Sequence, residues 1–199
     1  MLKSDISVKI NPLTYIVWLF LLYFGHAQFM LCSFVCASLH EAAHIAAYLS
    51  CGASVLSLEI LPFGISASVG KTDRLTCKDE ILCAFCGPLM NLVLSAIFIL
   101  MSESFIKGAD YFIYCNFAFF ILNMLPVIPL DGGRILYFVL LLKFKLRTCS
   151  VVIKTISCIL TAVIIVLGFY IYYTTGYNVS VLLIGMYLFL YIFTSFDSF

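Results

Sequence analysis

Residues 28–50 read QFMLCSFVCASLHEAAHIAAYLS, an apolar run with two histidines and a glutamate near its end. It is the tail of a longer apolar stretch that starts near Leu13 and ends at about Leu49. A single helix of that length would measure roughly 55 Å, against a bilayer hydrocarbon core of about 30 Å. The chain must therefore fold back, and Gly25-His26-Ala27-Gln28 is the polar, flexible break where it can do so. This predicts a short first span over 11–24 and a second over 28–50.

Composition agrees with spans. Hydrophobic residues make up 64% of the 199 positions and charged residues 11%, and the mean hydropathy is +1.14. A soluble domain of this size cannot keep so much apolar surface out of water, so the expected class is an all-α polytopic membrane protein. A net charge of +1 gives no electrostatic footprint for nucleic acid. The first residues lack a small-residue cleavage site, so they read as part of the mature protein. Nine cysteines without framework spacing argue against a disulfide scaffold. Cys83 and Cys86 form a CxxC that reads as two small buried helix residues.

Further along, Val55–Leu61 and Ile65–Gly70 are short strand-like runs around Pro62-Phe63-Gly64, which predicts a membrane-associated β-hairpin. The charged stretch from Lys71 to Glu80 reads as solvated. A third span is expected over 81–102. A fourth apolar region, 111–142, is interrupted by Pro126, Pro129 and Asp131-Gly132-Gly133. After a basic loop at 143–147, two more spans follow at 151–173 and 179–196. The total is about six. With both termini in the cytoplasm, the inner segments carry Lys3, Lys9, Lys71, Arg74, Lys78, Lys143, Lys145, Arg147 and Lys154, and the outer loops only Lys107. That is a positive-inside pattern.

His40-Glu41-Ala42-Ala43-His44 is HExxH. On a helix, residues i and i+4 share a face, so two imidazoles can reach one ion. Zinc accepts imidazole nitrogen and tolerates a tetrahedral site with one open position. Glu41, beside the first ligand, can take a proton from water activated by that ion. A glutamate in an apolar span costs at least about 2.5 kcal/mol unless it is used or compensated. Two histidines leave the site one protein ligand short. Of the remaining acids, Glu59, Asp73, Asp79 and Glu80 fall in the cytoplasmic segment, Glu103 and Asp110 flank an outer loop, and Asp5 and Asp197 are terminal. Asp131 is left, at an interruption where irregular backbone is tolerated if it lines a wet cavity. A structural aspartate at a helix break is the alternative.

The motifs HEAAH at 40–44, LPFG at 61–64, GPLMN at 87–91 and NMLPVIPLDGGR at 123–134 together resemble the site-2 protease family, over about residues 10–142. Within it, the chain most resembles the stage IV sporulation protein FB branch. The resemblance implies one zinc ion held by His40, His44 and Asp131, with Glu41 as catalytic acid/base. It also implies that Asn123 and Pro62, Phe63 and Gly64 hold an extended substrate. Asn91 either reaches the site, as the family pattern has it, or hydrogen-bonds between helices. The expected layout is a catalytic core over 1–142 and two additional spans over 143–199, with no PDZ or CBS domain. In that branch the substrate would be a membrane-tethered pro-sigma factor, and inhibitory membrane proteins would hold the enzyme off. The membrane would be the bacterial cytoplasmic membrane or the one surrounding the forespore. A stress-response protease that cuts an anti-sigma factor is a second reading, and a membrane zinc transporter is a third, from another class.

Overall fold

The computed structural model describes residues 7–10, 12–23, 27–61, 64–70, 75–102 and 109–194. They form strand β1 (Ser7–Ile10), helices α1 (Pro12–Tyr23) and α2 (Ala27–Ser50), strands β2 (Ser54–Leu61) and β3 (Gly64–Gly70), and helices α3 (Cys77–Ser102), α4 (Ala109–Asn123), α5 (Asp131–Leu141), α6 (Leu146–Thr175) and α7 (Ser180–Thr194). Contacts divide the chain into two compact units, 1–122 and 123–199. Among the described residues, three helical stretches are long and apolar enough to cross a membrane: Met30–Ser50, Cys77–Met101 and Leu146–Thr175. Ser180–Thr194 is a shorter apolar helix.

In the first unit the predicted hairpin is present. β2 and β3 pair antiparallel from Ser54↔Gly70 to Leu61↔Gly64. The hairpin is not the whole sheet, because β1 adds to β2 in parallel, from Ser7↔Ser57 to Ile10↔Ile60. The signal was short: Ile6, Val8 and Ile10 alternate with Ser7 and Lys9, which is period 2 over too few residues to stand alone. Thr14 of α1 donates to the Ile60 carbonyl at 3.0 Å, which ties the first helix to β2.

Of the stretch 71–80 expected to be solvated, 71–74 lie outside the described residues and 77–80 are helical. α3 starts at Cys77, four residues before the predicted span, because Thr76 and Asp79 form a reciprocal cap. Asp79 N–H donates to Thr76 Oγ1 at 3.3 Å, and Thr76 N–H donates to the Asp79 carboxylate at 2.8 Å. Glu80 is then carried inward, buried, and accepts a hydrogen bond from Tyr48 Oη at 2.9 Å. Nearby, Ala47, Tyr48, Ala53 and Cys83 form a buried cluster.

In the second unit, residues 124–130 are irregular and lead into α5, which begins at Asp131. The prolines interrupt the apolar region, as expected. Gly132 and Gly133 do something else, since both lie inside the first turn of α5. A Cβ on Gly132 would overlap the carbonyl oxygens of Met124 and Leu125, and one on Gly133 would fall 2.6 Å from the Val127 carbonyl. The glycines are needed because the 124–130 backbone lies directly on the helix. That backbone finds its own partners. Leu130 N–H donates to Val127 O at 2.8 Å, and Ile128 N–H donates to the hydroxyl of fully buried Ser157 at 3.0 Å.

α6 ends at Gly176, whose φ of 75° is the left-handed cap that glycine adopts without strain. α7 returns along α6, and glycines let the two backbones approach. A Cβ on Gly168 would sit 2.7 Å from Leu182 Cα. Helices in lipid associate through such close packing. Gly168→Ala is therefore expected to destabilise this unit by about 1–3 kcal/mol, seen as a lower melting temperature in detergent with unchanged helical content below the transition.

Candidate metal centre

The HExxH motif lies in the last three turns of α2, within Ala27–Ser50. His40 and His44 are both buried, and Glu41 is half-buried. The neighbouring stretch of α3 presents Cys83, Gly87 and Asn91, spaced i, i+4 and i+8, so one face of α3 meets the histidine face of α2. Each of the three residues acts on an imidazole. The Cys83 carbonyl accepts from His44 Nδ1 at 2.7 Å, and Asn91 Oδ1 lies 2.5 Å from His40 Nδ1. Gly87 supplies room, since a Cβ there would overlap His44 Nε2 and come within 2.8 Å of His40 Cε1.

These bonds determine which nitrogens can bind a metal. A carbonyl oxygen only accepts, so each Nδ1 that meets one carries the proton. A neutral imidazole has one N–H, which leaves the Nε2 lone pairs as donors to an ion. The two Nε2 atoms are 3.0 Å apart. Two ligands each about 2.0–2.1 Å from a shared tetrahedral ion would lie about 3.3–3.4 Å apart, so a few tenths of an ångström of opening seats both nitrogens on one ion. Two neutral nitrogens facing each other so closely repel unless positive charge sits with them. The donor set, its spacing and its outer partners therefore fit a zinc-type cation.

Glu41 is placed by the sheet. Its Oε1 accepts from the backbone N–H of Ala67 in β3 at 2.9 Å. β3 is an edge strand in the order β1-β2-β3, so this outward N–H connects the free edge of the sheet to the glutamate. Sequence reasoning about the hairpin did not contain this bond, because it depends on how β3 docks against α2.

The other predicted residues are placed as follows. Asp131 is buried at the first position of α5, in the second unit. Asn123 is the half-buried last residue of α4. Gly64 opens β3 opposite Leu61. Pro62 and Phe63 lie outside the described residues. Asn91 is fully buried, and its Nδ2 donates to Asn116 Oδ1 at 2.8 Å and to Cys36 O at 3.4 Å. Both ends of its amide are thus taken by protein groups. Asn116, which the sequence did not single out, is also fully buried.

The model of peptidase family M50 matches residues 101–168. Stage IV sporulation protein FB of Bacillus subtilis (strain 168) is 27% identical over 135 residues, covering 66% of this chain and 47% of that protein. Zinc metalloprotease MJ0392 of Methanocaldococcus jannaschii is 25% identical over 141 residues, covering 68% of this chain and 41% of that protein. The chain thus spans less than half the length of these two relatives. The solved structure of a site-2 protease from Methanocaldococcus jannaschii superposes with a TM-score of 0.72 at 18% identity, over 98% of this chain and 92% of that one. The chain therefore resembles peptidase family M50 in sequence over residues 101–168 and shares the fold of a solved site-2 protease. Stage IV sporulation protein FB is a relative in sequence at 27% identity.

Proposed function

We propose that the chain is an intramembrane zinc endopeptidase, with His40, His44 and Asp131 holding one zinc ion and Glu41 moving the proton. The observation that carries this reading is the committed pair of Nδ1–H groups, which turns the two Nε2 lone pairs toward each other at 3.0 Å. Asp131 is the ligand that completes the set, a buried carboxylate in an apolar region. When bound, zinc polarises a peptide carbonyl and makes water a nucleophile near neutral pH. The chain's own groups do the rest. Glu41 accepts a proton from the attacking water and returns it to the leaving amine. Its bond from Ala67 N–H holds the carboxylate while using only one of roughly four lone-pair sites.

The outward edge of β3 is the docking strand for an unwound substrate, through main-chain hydrogen bonds. A peptide added along that edge passes Glu41, because Ala67 reaches the glutamate from the same side. Pro62, Phe63, Gly64 and Asn123 take the substrate-holding roles that the sequence resemblance implies. The apolar helices carry exposed side chains such as Leu100, Val166 and Tyr173, a surface suited to lipid. On this reading there are six spans, with α4 and α5 together making one broken crossing. Both termini are cytoplasmic, 1–142 is the catalytic core, and 143–199 adds two spans.

The substrate class is a membrane-tethered pro-sigma factor processed during sporulation, with membrane proteins as inhibitors. Support comes from the sequence relationship to Stage IV sporulation protein FB. Co-expression with tethered pro-sigma substrates is expected to release a shortened soluble product, and the His40→Ala chain is expected to release none. Cleavage of a tethered anti-sigma factor in place of the pro-sigma substrates would move the role to stress response. Zinc flux into vesicles without any cleavage would replace the protease with a transporter.

A further inference from the structure

We infer that Asn116 and Asn91 are positioning residues that fix the proton of His40 on Nδ1, so that Nε2 is the nitrogen offered to the metal. The inference rests on the metal reading above and concerns a residue outside the HExxH and LDG motifs. The chain of hydrogen bonds starts at a group with no choice. The Phe112 carbonyl can only accept, and Asn116 Nδ2 meets it at 2.9 Å. This orients the Asn116 amide, so its Oδ1 is the atom facing Asn91 at 2.8 Å. Asn91 must then present Nδ2 on that side, where Cys36 O is a second acceptor at 3.4 Å. Its Oδ1 is left for His40, and an amide oxygen accepts only from Nδ1–H.

Three further observations support a tuned relay over generic packing. Both asparagines are fully buried, where an amide flipped end for end would place like groups together with no water to relieve them. The second Asn116 donor contact is to Cys36 Sγ at 3.1 Å, one turn before His40 on α2. The relay therefore spans three helices, α4 to α3 to α2, and ends on a ligand. His44 does not depend on it, because the backbone carbonyl of Cys83 holds its Nδ1. At Nδ1, His40 thus meets a side-chain acceptor and His44 a backbone one.

The test uses the full chain in detergent with 15N-labelled histidine, read by long-range 1H–15N correlation without metal, and then zinc titration against a chromophoric chelator. His26→Gln removes the third histidine signal. The native chain is expected to show a protonated Nδ1 on His40 and on His44. In Asn116→Leu and in Asn91→Leu, His40 is expected to become a mixture of tautomers while His44 keeps its pattern, an internal check on the fold. Zinc affinity is expected to fall about 10–100-fold in Asn91→Leu, and toward the lower end of that range in Asn116→Leu. The double variant is expected to be no weaker than Asn91→Leu alone, since a relay broken once cannot be broken again. Asn116→Asp, which keeps the acceptor for Asn91, is expected to leave His40 protonated on Nδ1. A bare Nδ1 on His40 in the native chain would overturn the inference and needs no variant. So would single-variant losses that multiply in the double variant. A protonated His40 Nδ1 in a chain that binds no zinc would instead sink the metal reading and leave the relay standing.

Discussion

Glu41→Gln is expected to lower peptide cleavage about 10²–10⁴-fold, the range for loss of a general acid/base, while one zinc stays bound per chain. Glutamine has the same shape and keeps an oxygen to accept from Ala67 N–H, so the tie between α2 and β3 survives. It cannot hold a proton and return it. The histidines are untouched, because their orientation comes from Cys83 and Asn91 on α3. The two readouts must therefore separate: metal content measured by emission spectroscopy stays near that of the native chain, and product release from a tethered substrate falls. Loss of both together would mean that Glu41 holds the site together and does no proton transfer.

Gly87→Ala is expected to weaken zinc binding by about 10²-fold or more, beyond the usual cost of disturbing an outer partner. The added methyl would occupy the space of His44 Nε2 and reach His40 Cε1. Neither ring can step aside cheaply, because each is tethered at Nδ1 by a bond of 2.7 Å or less. Relief therefore requires breaking one of those bonds or separating α2 from α3. The cost to folding is smaller, about 1–3 kcal/mol for one extra methyl in a packed site. Metal affinity and cleavage should fall together in this variant, unlike in Glu41→Gln, while the melting temperature moves by only a few degrees.

Much of this was legible before any coordinates. The period and spacing of HExxH place two imidazoles on one helix face whatever the fold around them. The length of the 13–49 run requires a turn near Gly25; α1 ends at Tyr23 and α2 begins at Ala27. Pro126 and Pro129 mark the irregular stretch before α5. What stayed hidden belongs to docking between elements. β1 has only four residues, and its pairing partner is remote in sequence. The start of α3 was readable as a Thr-x-x-Asp cap at Thr76, but the charge density of 71–80 pointed to solvent and masked it. Gly132 and Gly133 looked like helix breakers and prove to be sites of close backbone approach. Asn116 carries no motif of its own. It becomes visible only as the third residue of a hydrogen-bonded chain that starts at His40.

Imidazole nitrogen holds the proposed metal, in a chain that also carries nine free cysteines. Zinc K-edge X-ray absorption on the purified full chain distinguishes the two ligand types directly. The prediction is nitrogen and oxygen scatterers at about 2.0–2.1 Å, with the outer-shell pattern of two imidazole rings and no sulfur at about 2.3 Å. A sulfur shell, or an imidazole pattern that persists after His40→Ala and His44→Ala together, would contradict it.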